Sequence, residues 1–219
     1  MILSIFLTLR QDMDYRIVKP SAALAPYVKH YWMLDDCLPK GREHIQRIVP
    51  SGLAELIFYL GDRPGSKDRQ KPLSDNVLIT GQLNEFYDLE VKGSMSLFSI
   101  VFLPYSLSLF FDVPAVEFNN RHTPLRFLVR DGINRLEDRI FEATSMHHKV
   151  AIAETFLMSR MQKSGKKFEF QRVFKAVETI NLSRGQVDIE TLASAACLSR
   201  KQFERTFAAF VGIVRMESD

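Results

Sequence analysis

The chain has 219 residues, enough for one large or two small domains, and at 46% hydrophobic and 25% charged it has the composition of an ordinary globular protein. Two cysteines, Cys37 and Cys197, exclude a disulfide framework and a zinc-type spacing, and suit a reducing, cytoplasmic setting. The net charge of +3 excludes little by itself but is unevenly placed: residues 160–219 hold eleven Lys/Arg against seven Asp/Glu, while the remainder is slightly acidic.

The first twelve residues, MILSIFLTLRQD, contain an apolar run too short to span a bilayer. They lack the basic start and small-residue cleavage site of a signal peptide. Met13 reads as a natural start, so residues 1–12 are expected to be an upstream extension or a disordered arm. No other segment suggests a membrane. Residues 21–33 carry Leu24, Tyr27, Val28 and Tyr31 on one side of a predicted helix. The region 13–127 is otherwise mostly extended. Residues 54–60, 77–80 and 97–103 are short apolar strands, bounded by turns at Pro50-Ser51-Gly52, at residues 61–65, at Gly81 and at Pro104. Such spacing predicts a small β-barrel or sandwich.

Residues 128–163 are predicted helical, with one stripe at Leu136, Ile140 and Ala143 and another at Ala153, Phe156, Leu157 and Met161. Stripes of this kind are core, or occasionally a dimer seam. Ser164-Gly165-Lys166-Lys167 is a linker candidate. A further helix follows, with Phe170, Val173, Phe174 and Val177 on one side.

The most specific signal is in residues 188–212. Ile189, Leu192, Ala193 and Ala196 form one helical face behind an Asp188 cap. Leu198 interrupts the pattern at a turn, where Cys197 is expected to be a small packing residue. Ser199 then caps a second helix, and Gln202 three residues on completes a capping box. At about 100° per residue, Lys201 and Arg205 point away from Phe203, with Ala208 beside them and Glu204 on the flank. The spacing therefore predicts Lys201 and Arg205 exposed, and Leu198, Phe203 and Phe207 buried. Two cations at i, i+4 repel slightly, so this face suits a major groove, which needs donors for base edges and phosphates, better than plain solvent.

No enzyme constellation is present: there is no phosphate-cradling glycine loop, and His30, His44, His122, His147 and His148 form no metal or catalytic spacing. His30, His44 and Glu55 could in principle converge on a barrel interior as a metal site, against the plainer reading of surface or capping histidines. Trp32, Phe58, Tyr59, Phe86, Tyr87, Phe98 and Phe102 supply aromatics for a core or a pocket. Glu55 stands before an apolar run, either as a polar anchor in a pocket or at an exposed alternating position, the latter slightly favoured. No ligand-binding residue is nominated, and the chain is expected to be neither an enzyme nor a metal or cofactor carrier.

The pattern Asp188-Ile189, Leu192-Ala193, Ala196, Leu198-Ser199, Phe203, Arg205, Phe207 and Gly212 resembles the first helix-turn-helix of AraC-family transcriptional regulators. The stretches Leu24, Tyr27, Tyr31-Trp32, then Pro50-x-Gly52-x-x-Glu55-Leu56-Ile57-Phe58, Gly81, Val101-Phe102-x-Pro104, Phe111-x-Val113-Pro114 and Glu117 resemble the N-terminal part of a subset of them. The resemblance implies an α+β protein. A β-rich sensor or oligomerisation domain (13–127) is followed by a helical linker or dimerisation region (128–163) and a helix-turn-helix domain (168–212). Double-stranded DNA is the implied partner, with a small-molecule effector and a homodimer as further partners. Lys201, Glu204 and Arg205 would meet base edges, Arg200 and Gln202 phosphate or the groove rim, and Ser199 the helix start. In the family a linker helix and a second helix-turn-helix follow the glycine. Here IVRMESD follows Gly212, so the domain is expected to be truncated after its first unit. The other reading is a ligand-binding or dimerising β domain whose helix-turn-helix is vestigial and binds no specific DNA.

Overall fold

The computed structural model describes residues 14–39, 42–66, 75–129 and 132–212, so the expectations for residues 1–12 and for the tail after Gly212 lie outside it. Nine strands precede the main helices: β1 (Asp14–Val18), β2 (Val28–Cys37), β3 (Glu43–Ile48), β4 (Glu55–Tyr59), β5 (Gly65–Ser66), β6 (Val77–Thr80), β7 (Tyr87–Lys92), β8 (Ser94–Phe102) and β9 (His122–Pro124). They form two sheets, a six-stranded one in the order β1-β2-β8-β4-β6-β9 and a three-stranded one in the order β3-β7-β5, with every pairing antiparallel. The architecture is a sandwich, and among the described residues no ladder closes it into a barrel. The chain is thus α+β, sheet-rich first and helical afterwards.

The strands expected at 54–60, 77–80 and 97–103 are β4, β6 and β8. They are the central strands and are buried on both faces. In β8, Phe98, Ile100 and Phe102 enter a core shared with the helices, while Leu97 and Val101 enter a second core beneath the three-stranded sheet. In β4, Leu56 and Phe58 face the helices and Tyr59 the other side. Period-2 side-chain alternation produces both sets from one run.

The helix predicted over residues 21–33 is a correction. A short turn forms, with Ala25 N donating to Ser21 O and Val28 N to Leu24 O, and the chain then enters β2. A bulge between Val28 and His30 shifts the register against β8. The turn and the bulge bring Leu24, Val28 and Tyr31 into one core at helix-like spacing. Pairing with β1 and β8 on its two sides outweighs any local helical preference.

Among the described residues there are six α-helices, the first lying between β8 and β9: α1 (Leu107–Phe111), α2 (Ile133–Glu142), α3 (Met146–Lys163), α4 (Lys167–Leu182), α5 (Ile189–Ala195) and α6 (Arg200–Val211). Leu136 and Ile140 of α2, Ala143 just past its end, and Ala153 and Leu157 of α3 are buried in the core of the six-stranded sheet. Lys149 is almost wholly buried, and its Nζ donates to the carbonyls of Ile140 and Ala143, closing the C-terminal end of α2. A chain ending at residue 163 retains every buried member of both sheet-domain cores; one ending at 127 loses Leu136, Ile140, Ile152, Ala153 and Leu157. Residues 13–163 are therefore expected to melt in one cooperative transition by circular dichroism. Residues 13–127 should show none, and a cooperative melt from that shorter chain would contradict the shared core.

Helices α4 to α6 pack on this body. Phe170 and Val173 of α4 and Phe210 of α6 share a core with Tyr105 and Leu109, and Ser108 Oγ donates to Ala209 O at 2.9 Å. The C-terminal half of α6 also rests on the 3-10 turn Ala115–Phe118.

Candidate functional site

The helix-turn-helix is built locally. Asp188 caps α5, its Oδ1 accepting from Thr191 N at 2.7 Å and its Oδ2 from Thr191 Oγ1 at 2.9 Å. Those Thr191 donors hold its carboxyl below the ordinary aspartate range. At the turn, Cys197 has φ of +53°. Cys197 N donates to Ser194 O and Leu198 N to Ala193 O, the paired bonds of a Schellman closure. Cys197 is exposed, which corrects the expectation of a packing residue: a left-handed position at a helix end points its side chain outward. Leu198, with Phe207, packs against a small core of Ala176, Ile189, Leu192, Ala193, Ala196 and Phe203.

Ser199 and Gln202 form the expected capping box at the start of α6. Lys201, Glu204 and Arg205 are exposed and Phe203 is buried, as the angular spacing predicts, whereas Leu198 and Phe207 are only half-buried. Arg200 is tied down, its Nη1 donating to Glu190 at 2.7 Å and its Nε to Glu204 at 3.0 Å. That link fastens α6 to α5. Lys201 and Arg205 have no acidic partner among the described residues. Phe203 and Phe210, which are buried, lie on the side of α6 away from these two cations, whereas Ala209, one turn beyond Arg205 on the cations' own stripe, meets Ser108 through its backbone carbonyl.

The second candidate is a cavity of about 70 Å³ between the two sheets. The large sheet contributes Trp32, Glu55, Ile57, Tyr59, Thr80 and Leu97; the small sheet contributes Ile48, Tyr87 and Leu89. Glu55 is therefore a pocket residue and not an exposed alternating position. Its alternation is real, but that face of β4 is covered. Its Oε2 accepts from Ser99 Oγ at 2.8 Å and from Trp32 Nε1 at 3.2 Å. Burial raises its pKa, and these two bonds oppose the rise. A carboxyl raised in this way binds its proton more readily folded than unfolded. Its contribution to stability thus falls as pH rises from the ordinary glutamate range through the raised value. Burial, helped by Tyr87 and Glu55, also raises the Tyr59 pKa and keeps it protonated.

Of the aromatics singled out from sequence, only Trp32, Tyr59 and Tyr87 line the cavity. Phe58, Phe98 and Phe102 face the helices, and Phe86 is exposed with the Arg47 guanidinium 4.2 Å from its ring centre. His30 and His44 do not join Glu55: His44 meets Gln46, and among the described residues no group of three or more metal-ligating side chains assembles.

A family model described as a domain of unknown function, DUF6597, matches residues 16–124, which run from β1 through β9. The crystal structure of the AraC-like transcriptional activator CuxR aligns over 93% of this chain and 82% of its own, with 13% sequence identity and a TM-score of 0.32. No curated protein matches. Among the described residues no helix is long and apolar enough to cross a membrane.

Proposed function

We propose that the protein is a DNA-binding transcriptional regulator of AraC type, with α6 as the reading helix and the β domain as its sensor. One observation carries the reading: a fully capped helix-turn-helix presents Lys201 and Arg205, both exposed and without acidic partners among the described residues, on the side of α6 opposite the buried Phe203 and Phe210. Helix α5 would cross the DNA backbone while Ser199 and the first turn of α6 enter the major groove. Lys201, Glu204 and Arg205 then reach base edges, and Arg200 and Gln202 lie at the rim. The role is binding and not catalysis.

The test is fluorescence anisotropy with duplex DNA across a salt series. Replacing Lys201 and Arg205 together by alanine should weaken binding on the order of tenfold or more, and should lower the slope of log K against log salt by about one for each phosphate contact removed. If Arg205 reads a guanine edge, Arg205→Ala weakens binding at preferred sites alone. If it meets phosphate, all sequences suffer equally. Unchanged DNA binding in the double variant would overturn the assignment of α6. No DNA binding by the intact chain would leave the β domain as the working part.

A further inference from the structure

We propose that the cavity between the two sheets binds a small organic ammonium ion, held by the Glu55 carboxylate against the aromatic side chains of Trp32, Tyr59 and Tyr87. The proposal concerns the β domain alone and stands whether or not α6 reads DNA.

The first argument is charge. Among the described residues Glu55 is the only charged residue lining the cavity, and His122 stands behind the wall, bonded to Thr80 and edge-on to Tyr87. Its hydrogen bonds come from two neutral donors, and both fall on Oε2. They orient the carboxyl and leave Oε1 without a partner among the described residues. Glu55 is half-buried, and a carboxylate partly withdrawn from water is stabilised by a cationic guest. An anionic guest would be repelled, and a purely apolar one would leave Oε1 unpaired. The second argument is the wall. Aromatic faces attract ammonium groups, and Ile57, Leu89 and Leu97 offer apolar surface to an alkyl group beyond the charge. The third is size. A cavity of about 70 Å³ holds only a handful of water-sized volumes. It suits a guest of a few carbons and excludes a nucleotide or a sugar phosphate.

Trp32 is the sole tryptophan of the chain and donates to Glu55, so its fluorescence reports on occupancy directly. The experiment titrates the full chain with isobutylammonium chloride and, separately, with isobutanol, its neutral analogue of nearly the same shape. Fluorescence and melting temperature are both read. A guest of about five non-hydrogen atoms binds no tighter than the micromolar range. The expected result is a saturable change in Trp32 emission and a raised Tm with the ammonium, and neither with the alcohol. Glu55→Gln keeps an acceptor for Trp32 and Ser99, removes the charge, and should weaken the ammonium response at least about tenfold. Equal responses to ammonium and alcohol, an undiminished response in Glu55→Gln, or no saturable change up to about 100 mM would each overturn the proposal. If Glu55→Gln does not fold, Leu53→Phe carries the test by narrowing the cavity with Glu55 intact: loss of the response supports the site, and retention overturns it.

Discussion

Replacing Gly81 by alanine is expected to be among the most damaging single changes in the chain. A β-carbon there would lie 2.0 Å from the carbonyl oxygen of Phe118 and 2.4 Å from its carbonyl carbon. Both are backbone atoms, so no side chain can swing aside. Gly81 N also donates to Arg121 O, which fixes the end of β6 against this segment. The methyl group must therefore push the 3-10 turn Ala115–Phe118 away from the sheet, at a cost of about 3 kcal/mol or more. Domains of this size have only about 5–15 kcal/mol in hand. The same residue borders the inter-sheet cavity on one side, and the displaced turn supports α6 on the other. Gly81→Ala should therefore lower the urea midpoint and loosen α6 together, the latter read as faster amide exchange over residues 200–211. Gly165→Ala is the control: a β-carbon there meets nothing within 4 Å, so stability should hold or rise slightly. A Gly81→Ala protein as stable as this control would show that the sheet and the turn are not held in such close contact.

The second large effect is expected at Phe210. Its side chain is 3% exposed and is wedged among Tyr105, Leu109, Phe170 and Val173, with the Phe170 ring centre 6.3 Å away in an edge-on arrangement. This cluster joins α4 and α6 to the sheet domain. Truncation to alanine removes the ring and leaves a void that only partial relaxation can fill, a loss of about 3–5 kcal/mol. Because the residue sits at a junction, the form of the unfolding curve changes as well as its midpoint. The intact chain should unfold with fluorescence and far-ultraviolet dichroism coincident. In Phe210→Ala the helical signal should fall first, while Trp32, in the other core, reports the sheet domain still folded. Coincident curves with an unchanged midpoint would mean that the helix-turn-helix does not depend on this junction.

The parts of the molecule legible in the sequence are those whose causes are local. Asp188, Ser199 and Gln202 cap their own helices through residues three positions away. Phe203 and Lys201 fall on opposite sides of α6 because 3.6-residue periodicity places them there. The three apolar strands at the centre of the large sheet announce themselves by composition, since a strand buried on both faces needs little else. The residue types of the Glu55 site were visible too, but not its geometry. Whether Glu55 meets water or a cavity depends on a second sheet, β3-β7-β5, laid over that face. Nothing within β4 records that covering.

Tertiary structure alone decided the remainder, for the same physical reason. Strand β2 reads as a helix because a turn and a bulge imitate the helical period; partners far along the chain in β8 make it a strand. The stripes of α2 and α3 are apolar for the sheet they cover, and a stripe does not name its partner. The docking of α6 rests on Ser108, Tyr105 and Leu109, about a hundred positions earlier in the chain, where side-chain periodicity carries no information about α6. Periodicity and capping are set by neighbours within one or two turns, whereas covering, docking and cavity walls are set by contacts whose sequence separation no local pattern encodes.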